Sequence, residues 1–212
     1  MKHRQNSRHL LVGVTGNIGS GKSRLCSILE SHGVYRIDAD FLARSVVEPG
    51  SKGIAAVADK FGEQFIHPDG SLNRPLLGQK IFGDEASRKQ LEKLLHPLIR
   101  EEAIAACEHA VSNAFQFIVY EAALLLEGDH QEFVDRVVVV HAPEEVRLTR
   151  VSERDGFDEQ SIRERMAAQM SSAEQIMRAD LAIENDTDLS KLESACATLL
   201  EQMRNWLEEK YA

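Results

Sequence analysis

The stretch Thr15-Gly16-Asn17-Ile18-Gly19-Ser20-Gly21-Lys22-Ser23 constrains this chain more than any other. It follows the apolar run Leu10-Leu11-Val12-Gly13-Val14 and precedes an amphipathic segment, so the local order is strand, glycine-rich loop, helix. Glycines this dense forfeit backbone entropy, and a chain keeps them where the backbone must bend sharply or approach another group closely. Residues 16–23 match GxxxxGK[ST] in full, in the strand-to-helix context the pattern requires. The mechanism is specific. Successive backbone N–H groups converge on phosphate oxygens, and the following helix N-terminus adds the positive end of its dipole. Lys22 is expected to reach the β- and γ-phosphates, and the Ser23 hydroxyl to ligate Mg²⁺. Gly16, Asn17, Ile18, Gly19, Ser20, Gly21, Lys22 and Ser23 are therefore the expected nucleoside triphosphate site. The bland reading, a glycine-rich turn that binds nothing, fits poorly with a motif of this length.

Beyond the loop, strand-like apolar runs alternate with helical patterns. Strands are expected at Leu10–Val14, Gly33–Ile37, Gln116–Tyr120, Arg136–His141 and Leu181–Glu184, and helices at Lys22–Ser31, Ala39–Val46, Glu144–Glu153 and Leu189–Lys210. Phe117-Ile118-Val119 and Val137-Val138-Val139-Val140 lack polar alternation, as parallel strands covered on both faces do. The expected fold is α/β: a P-loop NTPase, three-layer α/β/α with a five-stranded parallel sheet, a helical acceptor-binding insertion and a lid. The core would span 10–46 and 116–212, with the lid at about 147–170. Residues 47–115 break the strand–helix rhythm, with Pro49-Gly50, His67-Pro68-Asp69-Gly70 and Leu95-His96-Pro97 as punctuation between helical segments. An insertion of this size reads as a substrate-covering subdomain, the alternative being decoration.

Composition narrows the partners. A formal net charge of −9 over 212 residues argues against a general nucleic-acid binder, which carries a basic face. A small anionic substrate remains compatible, because a few arginines dominate one cleft. Cys26, Cys107 and Cys196 show no CxxC spacing, which disfavours a disulfide framework or a zinc site and suits a reducing cytoplasm. No apolar run approaches the roughly 20 residues that span a bilayer, so no membrane partner is expected. Residues 1–9 are polar and basic without an apolar segment long enough for a signal peptide, and read as a disordered leader. The apolar residues Leu192, Leu199, Met203 and Leu207 recur at helical spacing, which reads as packing on the sheet or, less simply, as a partner-binding face; a monomer or small homo-oligomer fits either.

A GTPase would carry an NKxD base reader, and Asn185-Asp186-Thr187-Asp188 lacks the lysine. A motor-type ATPase would close an apolar strand with aspartate, whereas Phe117-Ile118-Val119-Tyr120 closes on Glu121, either a holder of metal-bound water or an ordinary helix-start acid. Two features point to a small-molecule kinase. Asp38 and Asp40, in Ile37-Asp38-Ala39-Asp40, stand at a strand C-terminus, the edge that faces the ligand crevice in open α/β sheets. Carboxylates there accept a proton from an attacking hydroxyl, although either one also suits a helix cap. Arg147, Arg150 and Arg154 fall at i, i+3 and i+7, on one helical face, and are read as lid cations over the migrating phosphoryl group or as a solvated stripe pairing with Glu144, Glu145 and Glu153.

Together these pieces resemble the dephospho-CoA kinase family, from about Leu10 to Asn185. Besides the glycine loop, the resemblance rests on Ile37-Asp38-Ala39-Asp40-Phe41-Leu42-Ala43-Arg44, Val47-Glu48-Pro49-Gly50, Leu94-Leu95-His96-Pro97-Leu98-Ile99, Leu124-Leu125-Leu126-Glu127 and Arg178-Ala179-Asp180. The loop is shared with many unrelated NTPases; Asp-Ala-Asp-x-x-Ala-Arg and Leu-His-Pro-x-Ile are far more particular. The resemblance implies transfer of the ATP γ-phosphate to the ribose 3′-hydroxyl of dephospho-CoA, the last step of coenzyme A synthesis, with Mg²⁺ as cofactor. It implies Asp40 as the catalytic carboxylate beside Lys22, Arg150 and Arg154, and Asp38, Arg44, His96 and Glu121 on the substrate side. His96 is equally readable as a structural residue ending a helix before Pro97. A related kinase for another nucleotide or small alcohol, and a catalytically silent nucleotide-binding module, are the competing functions. Two departures stand out: Asn17 replaces the usual second glycine of the loop, and Ala123 replaces the proline of the usual Pro-Leu-Leu-x-Glu.

Overall fold

The computed structural model describes residues 8–127, 129–186 and 189–212, so most of the expected leader lies outside the described residues. In chain order the elements are β1 (Leu10–Thr15), α1 (Lys22–Ser31), β2 (Tyr35–Asp38), α2 (Ala39–Ser45), α3 (Lys52–Phe61), α4 (Arg74–Phe82), α5 (Glu85–Ser112), β3 (Phe117–Glu121), β4 (Arg136–His141), α6 (Glu144–Asp155), α7 (Glu159–Ala167), α8 (Ser172–Met177), β5 (Leu181–Glu184) and α9 (Leu189–Lys210). The chain divides into two compact units, Met1–Ile37 with His109–Ala212, and Asp38–Glu108.

The larger unit is an α/β layer built on a five-stranded parallel sheet of order β2-β3-β1-β4-β5. Every residue of the central strand β1 is buried, consistent with its unbroken apolar sequence and with cover on both faces. Leu25, Cys26, Ile28 and Leu29 of α1 meet Leu192, Cys196, Leu199, Met203, Trp206 and Leu207 of α9 in the same core as Val12, Val14, Val138 and Val140. The apolar stripe of α9 is thus spent on the sheet layer, as amphipathic packing requires. Among the described residues, no helix is long and apolar enough to cross a membrane.

The smaller unit is helical. Ser51 caps α3 through its hydroxyl and Asn73 caps α4 with Pro75 just inside the helix start, the order that pre-sets a helix N-terminus. The His67-Pro68-Asp69-Gly70 turn closes a short antiparallel bridge between Ile66 and Leu72. One expectation is corrected. Leu95-His96-Pro97 does not punctuate helices, because α5 runs through it as one element with Pro97 inside. A mid-helix proline costs about 3 kcal/mol. Here Leu91, Leu94, Leu95, Leu98 and Ile99, before and after Pro97, pack on the cores around Val46, Val47 and Ile54 and around Val57, Phe65 and Leu77, and that burial offsets the cost. His96 consequently sits mid-helix and exposed, not at a helix end.

Candidate active site

The glycine loop joins the C-terminal end of β1 to the first turn of α1, and neighbouring backbone presses on it from both sides. A Cβ at Gly16 would lie 2.1 Å from the Val140 carbonyl oxygen at the end of β4. At Gly19, where φ is 78°, it would lie 2.7 Å from the Arg147 carbonyl oxygen of α6. Side chains at these positions are excluded by close approach as well as by the left-handed backbone at Gly19.

Within the loop, Ser20 N–H donates to the Asn17 carbonyl at 3.0 Å. Asn17 itself is buried: its Oδ1 accepts from Gln175 Nε2 at 2.7 Å, and its Nδ2 donates to Ser172 Oγ at 3.2 Å. The Ile18 N–H donates to Gln169 Oε1 at 3.0 Å. On the other side, Asn185 Nδ2 donates to the Ser20 carbonyl at 2.8 Å. Arg150 Nη1 donates to the Asn185 carbonyl at 2.9 Å and reaches the Gly19 carbonyl at 3.5 Å. Arg147 is buried at 7% exposure, donates from Nε to the Ala142 carbonyl at 3.1 Å, and has its guanidinium pushed below the ordinary value by that burial. Ser20 Oγ and Arg147 Nη1 are buried without a hydrogen-bond partner among the described residues.

At the head of α1, Lys22 is half-buried and Ser23 is exposed, and the first-turn N–H groups have no intrahelical acceptor by construction. Ser23 Oγ donates to Glu121 Oε1 at 2.5 Å. The other oxygen of Glu121 accepts from Arg36 Nε at 3.0 Å and Nη2 at 2.6 Å. The Glu121 carboxylate is nearly fully buried, so Arg36 supplies the countercharge that burial requires. The Cys26 thiol, one turn along α1, is pushed well above its ordinary value by burial and then by the Glu121 charge. A hydroxyl whose proton is held by a carboxylate, beside a lysine and a helix N-terminus, offers hard oxygen donors that fit Mg²⁺, which takes few protein ligands and completes its shell with phosphate and water.

In the smaller unit, Asp38 is the N-cap of α2: its Oδ1 accepts from the N–H groups of Asp40 at 2.9 Å and Phe41 at 3.0 Å. Asp40 stands exposed in the first turn of α2, Arg44 is exposed in its last turn with its carbonyl facing Arg74 Nη2 at 3.5 Å, and His96 lies on α5 of the same unit. Arg154 forms a bidentate pair with its neighbour Asp155 at 2.7 and 2.8 Å on an exposed helix end. The structure thus gathers residues 16–23, Glu121 and Arg150 around one loop, and places Asp38, Asp40 and Arg44 on one short helix. Reading the sequence did not single out Arg36, Gln169, Ser172, Gln175 or Asn185 as partners of the site. In the sequence Asn17 is only a departure from the usual second glycine, and its partners Gln175 and Ser172 emerge from the fold.

The family model described as dephospho-CoA kinase matches residues 10–191. A dephospho-CoA kinase of Syntrophotalea carbinolica is 39% identical over 92% of this chain and 92% of its own length. One from Streptomyces avermitilis is 42% identical over 87% of this chain and 89% of its own. A crystal structure of a Thermus thermophilus protein superposes with a TM-score of 0.75 at 30% identity, covering 92% of this chain and 98% of that one.

Proposed function

The chain belongs to the dephospho-CoA kinase family, and from that premise we propose how its residues divide the work of phosphoryl transfer. The reaction is the ATP-dependent phosphorylation of dephospho-CoA on its ribose 3′-hydroxyl, giving coenzyme A and ADP. The loop amides and the α1 N-terminus hold the ATP phosphates, and Lys22 spreads its charge over the β- and γ-oxygens. Ser23 and, directly or through water, Glu121 would hold Mg²⁺, which would supply positive charge against the phosphates. Asp40 takes the proton from the attacking 3′-hydroxyl as that oxygen bonds to the γ-phosphorus and the bond to ADP breaks. Asp38 is occupied as a helix cap, which favours Asp40 over it as the base. Arg44 and His96 are assigned to the acceptor. Of the lid arginines, Arg150 is committed to two carbonyls at the cradle and steadies it, while the exposed Arg154–Asp155 pair is weak enough for Arg154 to exchange onto the transferred phosphate.

The observation that carries this reading is the Ser23–Glu121 contact at the head of a complete phosphate cradle. A coupled assay of ADP release with ATP, Mg²⁺ and dephospho-CoA, run against AMP, CMP and adenosine, tests it. Dephospho-CoA is expected to turn over fastest. Equal or greater turnover with a competitor overturns the acceptor assignment.

A further inference from the structure

We propose that residues 169–175 clamp the rim of the phosphate cradle, with Gln175, Gln169 and Ser172 as positioning residues for ATP that act through Asn17 and Ile18; the proposal deepens the functional reading above and rests on it. Burying an amide side chain is unfavourable unless its polar atoms find partners. Here two such amides, Asn17 at 5% exposure and Gln175 at 3%, are buried against each other, and the bond between them spans 158 residues of sequence. Filling space does not require that arrangement, since an apolar pair would do so without the desolvation cost. Backbone conformation does not require it either. Among the described residues Ala114 alone of the non-glycines has a positive φ, so Asn17 is not present to tolerate a left-handed turn.

The bonds have a common direction. Gln175 and Ser172 hold the Asn17 side chain, Gln169 takes the Ile18 N–H, and the next loop residues are the glycines that must pass close to Val140 and Arg147. The clamp is itself anchored. Ser171 and Glu174 form a reciprocal capping box that fixes the start of α8. Beyond the helix, Arg178 donates to the Leu126 carbonyl at 3.3 Å, and Asp180 Oδ2 accepts from Val137 N–H at 2.7 Å. The loop side chain is therefore tied to a segment held to the sheet, so the spacing of the loop amides is set before any phosphate arrives. Preorganised donors bind without reorganisation at the moment of binding.

Calorimetric titration with Mg-ATP, which needs no acceptor, tests this on the full-length protein. Gln175→Met keeps the volume and removes the donor, and is expected to raise the ATP dissociation constant and the KM for ATP about tenfold, the scale of one buried hydrogen bond. The KM for dephospho-CoA should stay within about twofold, and kcat at saturating ATP should fall much less than the affinity does. Gln175→Lys, which restores a donor at similar reach, should recover ATP affinity. In an Asn17→Gly background, Gln175→Met should add little, because the bond is already gone. ATP affinity unchanged in Gln175→Met overturns the proposal. So does a parallel rise in both KM values with a lowered Tm, or an undiminished effect of Gln175→Met when Asn17 is absent. Failure of the acceptor assignment would instead leave the calorimetric result intact and change only the substrate panel.

Discussion

In the phosphate cradle, Asn17 and Ser20 are buried, hydrogen bonds tie the loop to Gln175 and Asn185 far along the chain, and Gly16, Gly19 and Gly21 leave no room for a Cβ. At the start of α2, Asp40 and Arg44 stand exposed on a short helix whose first turn is fixed by the Asp38 carboxylate. The donor's phosphates are small and the same in every turnover, so groups that bind them are best fixed in advance. Dephospho-CoA is large and flexible, and Asp40 and Arg44, the groups proposed to meet it, stand exposed to water. Rigid polar burial therefore marks the side of the reaction whose geometry does not vary.

The sharpest way to break that comparison is to exchange the two acids of α2. Asp40→Asn is expected to lower kcat by about 10²-fold or more, the scale of general-base loss, with ATP affinity nearly unchanged. Asp38→Asn keeps a side chain that caps as well as aspartate and should cost far less, about threefold at most. Steady-state kinetics of both variants decide it, and equal losses would mean that Asp38 is more than a cap. A smaller effect is expected on the donor side from Glu121→Gln, which still accepts the Ser23 proton but removes the buried carboxylate charge that lies 2.6 Å from Arg36. Activity should drop roughly tenfold, the scale of a charged hydrogen bond, and the Mg²⁺ concentration for half-maximal rate should rise. An unchanged Mg²⁺ requirement would separate Glu121 from the metal. The smallest effect concerns the smaller unit's scaffold. Asp84 accepts from the Ser87 hydroxyl and N–H at the head of α5, and these bonds hold its carboxyl down to about 2. A folded value below the ordinary one means that its contribution is complete above the usual carboxylate range and is lost as pH falls toward about 2. In acid unfolding, Asp84→Ala should be modestly less stable at neutral pH, show a flatter stability slope between about pH 4 and 2, and converge on the parent protein toward pH 2.

Local rules account for what could be read directly. The strand, glycine loop and helix at 10–31 obey short-range sterics and helix-end electrostatics, and the structure returns α1 and β4 with the bounds expected for them. Asp38 as a cap is also a local matter, since a carboxylate reaches the N–H groups two and three residues on. Pro97 was misleading because the local rule is real but small beside the apolar burial around it, which depends on α3 and on the turns near Phe65. The Asn17–Gln175 and Arg36–Glu121 bonds were not legible because no spacing rule links residues so far apart. Only the folded sheet places the ends of β1 and β3 side by side.

The Arg36–Glu121 pair carries one more consequence, for the order in which reactants bind. With a guanidinium 2.6 Å from its carboxylate and Lys22 at the same helix start, the head of α1 carries no net negative charge to attract a bare divalent cation. The missing attraction must come from the triphosphate. The enzyme should therefore ignore free magnesium and take up the cation only as a passenger on the nucleotide.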